Sequence, residues 1–134
     1  MIEARGVTKR FGATEVLRGL DLSIRPGRVT AIVGPNGAGK TTFIKSILGL
    51  TRPDGGALLF DGAPLGDDGA HRARIGYMPQ AASFPGNLTG EELLALMTDL
   101  RGRPADVDRE LVERFALEAQ LGKPLRTLSG GTRQ

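Results

Sequence analysis

The stretch GPNGAGKT, Gly34 to Thr41, constrains the fold more than any other part of this 134-residue sequence. It matches the pattern G-x-x-x-x-G-K-[ST] and lies between the β-branched apolar run RVTAIVG and the segment TTFIKSILGL. In that second segment the apolar residues recur at helical spacing, and Gly49 is suited to end the helix. A buried strand, a glycine loop and an amphipathic helix in this order predict a P-loop nucleotide-binding core of the α/β class.

The residues of this loop suit a triphosphate. Glycines keep side chains out of the way and allow unusual backbone dihedral angles, so consecutive backbone N–H groups can converge on the phosphates. The helix that starts near Lys40 adds the positive end of its dipole. The Lys40 ammonium would reach the β- and γ-phosphates, and the Thr41 hydroxyl would ligate Mg²⁺. The predicted nucleotide-binding residues of the loop are Gly34, Pro35, Asn36, Gly37, Ala38, Gly39, Lys40 and Thr41.

The overall composition limits the kinds of protein this can be. With 40% hydrophobic and 25% charged residues the chain has a globular composition, and 134 residues can form a core of ordinary size. The absence of cysteine excludes disulfides and thiolate metal sites, and makes the cytosol the natural location. No apolar run resembles a signal peptide or approaches the ~18 residues of a membrane span. The net charge of +3 is too small to indicate nucleic acid, so no nucleic-acid partner is expected.

Short strands are predicted for the first part of the chain. The runs IEARGV, TEVL and LDLSI are alternating or apolar and are separated by turn residues, as in antiparallel hairpins. Further on, ALLF and RIGYMPQ are predicted strands, and DGAPLGDDG is a predicted loop. His71, the single histidine, is expected to be a solvated loop residue rather than a catalytic one.

The pattern becomes helical at about residue 82, so two domains are predicted, residues 1–81 and residues 82–134. Thr89 and Glu92 form a capping box at the start of the first helix of the second domain. The apolar stripe of that helix is expected to be core, and it comprises Leu93, Leu94, Leu96 and Met97. The next predicted helix carries Val107, Leu111, Val112 and Phe115 on one face.

Together with the loop, three further motifs resemble the ATP-binding subunit of an ABC transporter. VTKRFG resembles the A-loop, which would make Phe11 the aromatic residue that stacks on adenine. YMPQ resembles the Q-loop, which would place Gln80 on Mg²⁺ or on the attacking water and make it sense the membrane partner. LSGGTRQ resembles the ABC signature, and the second loop threonine, Thr42, would contact the α-phosphate. The implied fold is an ABC-type P-loop NTPase with an antiparallel β subdomain and a small helical subdomain, incomplete at the C-terminus.

The signature motif has a physical logic of its own. Ser129 is a natural N-cap, so its hydroxyl and the N–H groups that follow, including those of Gly130 and Gly131, form an anion site at a helix start. The resemblance implies that two chains pair head to tail and that each signature covers the ATP held by the other chain's loop. The fifth signature position is usually Gln, and this sequence departs from the family with Thr132.

Some of the chemistry that the resemblance implies has no counterpart in these residues. ATP hydrolysis in the family uses an Asp and a Glu at the end of an apolar strand after the signature, and a later switch histidine, and the sequence contains neither. Lys40 and Gln80 are the catalytic residues that can be assigned. The resemblance also implies that RVTAIVG and RIGYMPQ are not adjacent strands. We therefore expect an N-terminal fragment that binds ATP and Mg²⁺ and is not hydrolytic alone.

The function expected from the resemblance is coupling of ATP binding and hydrolysis to membrane transport, with an exporter as the favoured type. The subunit would lie on the cytoplasmic face of the membrane, against a second ATP-binding subunit and a membrane-spanning partner. One alternative is a soluble ABC ATPase of DNA repair, chromosome or ribosome work. The compact segment between Gln80 and Leu128 and the lack of cysteine disfavour the coiled-coil and zinc-binding types. A second alternative is a non-catalytic nucleotide-binding module.

Overall fold

The computed structural model describes residues 1–66, 68–80, 84–102 and 109–133. The chain divides into two compact units, Met1–Gly76 and Tyr77–Gln134. The first contains strands β1 (Ile2–Phe11), β2 (Thr14–Ile24), β3 (Gly55–Phe60) and β4 (Ala63–Pro64), helix α1 (Lys40–Ile47) and a 3₁₀ helix (Ala70–Arg74). The second contains helices α2 (Gly90–Leu100), α3 (Glu110–Arg114), α4 (Glu118–Leu121) and α5 (Gly130–Arg133), and a 3₁₀ helix (Leu125–Thr127). The domain boundary at about residue 82 stays a prediction.

The first unit is built on an antiparallel sheet with the strand order β2-β1-β3-β4. The register of β1 on β2 runs from Ile2 opposite Ile24 to Phe11 opposite Thr14. The predicted hairpin is therefore confirmed, although TEVL and LDLSI form one continuous strand of 11 residues. The predicted strand ALLF is the main part of β3, and the predicted loop after it contains the short strand β4.

Helix α1 covers one face of this sheet and shares its core. Val7 of β1 is fully buried, and Phe43 of α1 is 2% exposed. Their neighbours in the core are Ala4, Leu17, Ile47 and Leu58. Each large apolar side chain that is buried in this way contributes about 1.5–3 kcal/mol. The helix ends as predicted at Gly49, where the Leu50 N–H bonds to the Lys45 carbonyl at 2.8 Å and closes a Schellman motif.

Two predicted strands are absent from the described residues. RVTAIVG forms no strand, and Val29 and Val33 are 101% and 87% exposed. RIGYMPQ likewise has no strand in it. An apolar run becomes a strand only when neighbouring strands take up its N–H and C=O groups. None of the described residues forms such a ladder with either segment, so both predictions were wrong.

The second unit is helical and has little buried surface. Helix α2 begins with the predicted capping box, since the Glu92 N–H donates to the Thr89 hydroxyl at 3.2 Å and the Thr89 N–H donates to the Glu92 carboxylate at 2.8 Å. Among the described residues of this unit, the buried hydrophobic residue is Leu125. The Leu125 N–H bonds to the Leu88 carbonyl at 2.8 Å. In the described part of the chain no helix is long and apolar enough to cross a membrane.

The apolar stripes predicted for this unit are only partly buried, since Leu93, Leu94 and Val112 are half-buried and the other described members are exposed. Leu96 and Met97 are 42% and 40% exposed, so the prediction that the α2 stripe forms core was wrong for them. Leu111 and Phe115 are also exposed, and Val107 lies outside the described residues. Helical spacing places these residues on one face, but burial requires a second element against that face.

Candidate functional site

The phosphate loop leads into a helix whose start has no side-chain cap. Helix α1 begins at Lys40, and its N-cap, Gly39, has a left-handed conformation with φ of 87°. The Phe43 N–H bonds to the Gly39 carbonyl at 2.8 Å. The N–H groups of the preceding turn, from Lys40 onward, have no carbonyl partner within the helix. No acidic residue stands in this first turn, so the helix start is electropositive.

Gly39 is required by its surroundings as well as by its dihedral angles. A Cβ atom at this position would lie 2.9 Å from Leu17 Cδ2 and 2.9 Å from the Val16 carbonyl oxygen. Only glycine therefore lets the loop lie directly against β2. The contact fixes the loop to the sheet, and so it fixes the direction in which the uncapped N–H groups of α1 point.

The Lys40 side chain lies across the loop that precedes it. Its ammonium donates to the carbonyl oxygens of Gly34 and Pro35, both at 2.7 Å. The loop is further closed by a bond of 3.2 Å from the Ala38 N–H to the Pro35 carbonyl. Backbone carbonyls are neutral acceptors, and a phosphate oxygen is a stronger partner for an ammonium group. The arrangement thus holds a cation and a row of N–H groups at one exposed loop.

The two loop threonines differ in exposure. Thr41 is exposed on the first turn of α1, and Thr42 is half-buried. The Thr42 carbonyl accepts a bond of 2.9 Å from the buried Ser46 hydroxyl, which ties the first turn to the body of the helix. The Thr41 hydroxyl is therefore accessible and can offer an oxygen to a hard cation such as Mg²⁺.

Phe11 lies in the same unit, at the hairpin end of β1. Its ring is 53% exposed, and the Lys9 ammonium lies 5.5 Å from the ring centroid. Lys9 also pairs with Asp54 at 2.7 Å, and the Arg10 N–H donates to the other Asp54 oxygen at 2.7 Å. These two bonds, first that of Lys9 and then that of Arg10, hold the pKa of the Asp54 carboxyl below its ordinary value.

Asp54 was not identified from the sequence. It stands in the turn RPDGG, whose composition indicates a turn and gives no sign of a partner 45 residues away. Its role depends on the pairing of β3 with β1, which brings Gly55 opposite Thr8.

Gln80 and the signature residues lie in the second unit. Gln80 is exposed and follows Pro79 in a segment without strand structure. Ser129 precedes α5 as the predicted N-cap, because its hydroxyl accepts a bond of 3.2 Å from the Thr132 N–H. The Thr132 hydroxyl lies 2.8 Å from the same oxygen. Thr132, where the sequence departs from the resemblance, therefore contacts Ser129 directly, and the stretch Ser129 to Gly131 is exposed.

His71 is not the solvated loop residue that was predicted. It is half-buried in a 3₁₀ helix, and its Nε2 lies 3.0 Å from the Ile47 carbonyl oxygen at the C-terminal end of α1. Its ring packs 6.5 Å from the Phe60 ring, measured between centroids. The last carbonyls of a helix have no intrahelical partner, so the imidazole of a nearby histidine can form a hydrogen bond with one of them. His71 therefore has a structural role at the far end of the loop helix.

Comparison with known sequences assigns the family. The sequence model of the family described as ABC transporter matches residues 17–134. The chain belongs to the ABC transporter family. This confirms the resemblance inferred from the phosphate loop and from the A-loop, Q-loop and signature motifs.

Curated relatives of this ABC protein include transporters of different direction. It is 38% identical over 140 residues to "Nod factor export ATP-binding protein I" of Ralstonia nicotianae, covering 100% of this chain and 43% of the relative. It is 39% identical to "Daunorubicin/doxorubicin resistance ATP-binding protein DrrA" of Streptomyces peucetius, covering 99% and 42%. It is also 35% identical to "Ribose import ATP-binding protein RbsA" of Pseudomonas putida, covering 100% and 28%. The chain thus spans less than half the length of the curated relatives that it matches.

Solved structures confirm the fold. The structure of an ATP-binding subunit of an ABC transporter superimposes with a TM-score of 0.83 at 30% identity, covering 98% of this chain and 57% of that chain. A dimeric, post-hydrolysis ATP-binding cassette bound to ADP and Pi gives a TM-score of 0.77 at 27% identity, covering 99% and 65%. The predicted ABC-type P-loop fold is therefore confirmed.

Proposed function

We propose that this ABC protein is an ATP-binding subunit that couples ATP binding and hydrolysis to transport through a membrane. The observation that carries the proposal is the uncapped start of α1, with Lys40 folded back onto the carbonyls of Gly34 and Pro35 at 2.7 Å. A phosphate oxygen is a stronger partner for the Lys40 ammonium than these neutral carbonyls are. Membership of the ABC transporter family supports ATP as the ligand.

The proposed contacts to the triphosphate follow from the chemistry of the loop. The N–H groups from Gly37 onward would surround the phosphates, the Lys40 ammonium would bind the β- and γ-phosphates, and Thr42 would contact the α-phosphate. Thr41 is exposed beside them and offers the oxygen that a hard divalent cation prefers. Bound Mg²⁺ would neutralise developing charge on the phosphates. Gln80 is the second residue proposed to contact the metal or the attacking water.

The remaining roles concern the base and the second subunit. Phe11 is proposed to stack on adenine, which its half-exposed ring permits. Ser129, Gly130 and Gly131 are proposed to cover the ATP that a second subunit holds in its own loop, in a head-to-tail pair. The dimeric cassette with ADP and Pi among the structural relatives supports such a pair.

We further propose what residues 1–134 do by themselves, which subunit they bind and at which face of the membrane they act. Residues 1–134 contain no Asp–Glu pair at the end of an apolar strand, so we expect this stretch by itself to bind nucleotide without hydrolysing it. A membrane-spanning subunit is the proposed partner, at the cytoplasmic face of the membrane. Export is the proposed direction, supported by the relatives named for Nod factor export.

The test compares two lysines of the same helix in the full-length protein. Lys40→Ala removes the ammonium of the loop, and Lys45→Ala removes an exposed ammonium in the last turn of α1. We expect Lys40→Ala to lower ATP affinity and hydrolysis by about two orders of magnitude, and Lys45→Ala to leave both unchanged. Equal activity of the two variants would overturn the assignment of the loop. We expect residues 1–134 alone not to hydrolyse ATP. ATP hydrolysis by this stretch alone, abolished by Lys40→Ala, would overturn that expectation.

A further inference from the structure

The hairpin end of β1 that carries Phe11 has a strand partner on one side only. The ladder between β1 and β3 ends at Thr8 opposite Gly55, whereas the ladder between β1 and β2 continues to Phe11 opposite Thr14. Exposed hairpin ends are normally the most mobile parts of a sheet. A ring that is to stack on a base with useful affinity has to be held in place beforehand.

Asp54 takes the place of the missing strand partner. Its own N–H bonds to the Thr8 carbonyl at 2.9 Å, its Oδ2 accepts the Arg10 N–H at 2.7 Å, and its Oδ1 accepts the Lys9 ammonium at 2.7 Å. One residue thus binds backbone atoms and a side chain of β1 beyond the point where β3 has stopped pairing. Gly56 permits the close approach of the two strands next to this contact, since a Cβ on Gly56 would lie 2.3 Å from the Gly6 carbonyl oxygen.

Lys9 links Asp54 to the aromatic ring, because its ammonium contacts both. Its side chain is 15% exposed, and its ammonium is held by Asp54 while lying 5.5 Å from the Phe11 centroid. A cation over the face of an aromatic ring is attracted by the ring and fixes its orientation. The Lys9 ammonium lies over one face of the Phe11 ring, and the residue is 53% exposed. A base that stacks on this ring would therefore use the opposite face.

We propose that Asp54 and Lys9 are positioning residues for adenine recognition, because together they hold the Phe11 ring with one face free. This inference rests on the proposed stacking of adenine on Phe11. It predicts that loss of either charged group weakens binding of the base and leaves binding of the triphosphate chain unchanged, since the phosphate loop makes no contact with Asp54 in the structure's described bonds.

The chain offers a matched control at the other end of β3. Asp61 follows this strand as Asp54 precedes it, and Asp61 is likewise an exposed carboxylate with a lowered pKa, bonded first to the N-terminal ammonium and then to Arg74. Arg74 lies 4.8 Å from the Phe60 centroid, as Lys9 lies over Phe11. Asp61→Asn therefore removes an equivalent charge network from a ring that has no proposed ligand.

The experiment measures two dissociation constants in the full-length protein, one for ATP with Mg²⁺ and one for inorganic triphosphate with Mg²⁺. The variants are Asp54→Asn, Lys9→Met, Asp61→Asn and Phe11→Ala. We expect Asp54→Asn and Lys9→Met to weaken ATP binding about three- to tenfold with no change for triphosphate, and Phe11→Ala to weaken ATP binding more strongly. Asp61→Asn should change neither constant. Urea unfolding of each variant establishes that it is folded.

The possible results separate the two proposals. If Phe11→Ala weakens only ATP while Asp54→Asn and Lys9→Met behave like Asp61→Asn, the positioning role is wrong and the stacking role stands. If Asp54→Asn and Lys9→Met weaken ATP and triphosphate equally, the residues support the fold in general and the inference is overturned. If Phe11→Ala leaves the ratio of the two constants unchanged, adenine does not stack on Phe11 and both proposals are wrong.

Discussion

Helices α1 and α2 begin in opposite ways, because α2 has a side-chain cap and α1 has none. At α1 the N-cap is Gly39, which has no side chain to bond to the first N–H groups of the helix. At α2 the N-cap is Thr89, whose hydroxyl accepts the Glu92 N–H at 3.2 Å while the Glu92 carboxylate accepts the Thr89 N–H at 2.8 Å. The electropositive start of α2 is thus satisfied by the chain's own side chains. The start of α1 has no side-chain cap, and an external anion is the partner we propose for its N–H groups.

The largest expected effect on stability comes from adding a side chain at Gly39, the N-cap of α1. Gly39→Ala places a methyl group 2.9 Å from Leu17 Cδ2 and from the Val16 carbonyl, at a φ of 87°. We expect the free energy of unfolding to fall by at least about 3 kcal/mol, since overpacking and backbone strain add. Urea unfolding measures this, with Gly122→Ala as control because no atom lies within 4 Å of a Cβ there. Equal stability of the two variants would contradict the tight packing of the loop on β2.

Ligand binding should stabilise the protein through α1. At a free MgATP concentration of 100 times the dissociation constant, the free energy of unfolding should rise by about 2.7 kcal/mol. Lys40→Ala should lose this rise, and Lys45→Ala should retain it. Thermal unfolding with and without MgATP is the measurement. A rise of the same size in Lys40→Ala would show that the anion binds elsewhere.

Removing the cap of α2 should cost stability and leave binding unchanged. Thr89→Ala deletes the hydroxyl that accepts the Glu92 N–H, which should lower the free energy of unfolding by about 1 kcal/mol. Thr98→Ala is the control, because the Thr98 hydroxyl bonds to the Leu94 carbonyl within the same helix and does not cap the helix start. Both variants should bind ATP as the unaltered protein does. A weaker affinity for ATP in Thr89→Ala alone would mean that the capped helix start takes part in binding.

The smallest effect is the pH dependence of the α2 cap. The Thr89 N–H and then the Thr89 hydroxyl donate to the Glu92 carboxylate and hold its pKa below the ordinary value of 4.5. The unfolded chain therefore binds this proton more tightly than the folded chain. The stability that ionised Glu92 contributes is complete above pH 4.5 and is lost as the pH falls through the folded-state pKa. Unfolding of the unaltered protein and of Glu92→Gln should differ above this range and converge below it; a constant difference would contradict the bond.

Features set by neighbouring residues were predictable from the sequence, and features set by distant partners were not. The capping box needs only Thr89 and Glu92, three residues apart, and it was predicted correctly. The strand predicted at RVTAIVG failed because strand formation depends on a hydrogen-bonded neighbour from elsewhere in the chain. Gly39 was predicted from its motif, although its contact with Leu17 could not be.

In the candidate site, too, local features were predictable from the sequence and long-range contacts were not. The loop and Lys40 follow from a contiguous motif whose chemistry requires each residue in turn. The bonds of Asp54 with Lys9 and Arg10 join residues 45 and 44 positions apart, and only the pairing of β3 with β1 creates them. His71 was assigned to solvent because no local signal indicates that it reaches the Ile47 carbonyl at the end of α1.

The most direct test of the contrast between the two helix starts is an amide chemical-shift titration of the isotopically labelled full-length protein with MgATP. The largest shifts should come from the amides of residues 36–42, where the N–H groups of the loop and of the first turn of α1 would bond to phosphate. The amides of residues 90–93, at the capped start of α2, should not move beyond the average for the chain. Shifts of equal size at both helix starts, or none at residues 36–42, would contradict the proposal that the uncapped start of α1 is the phosphate site.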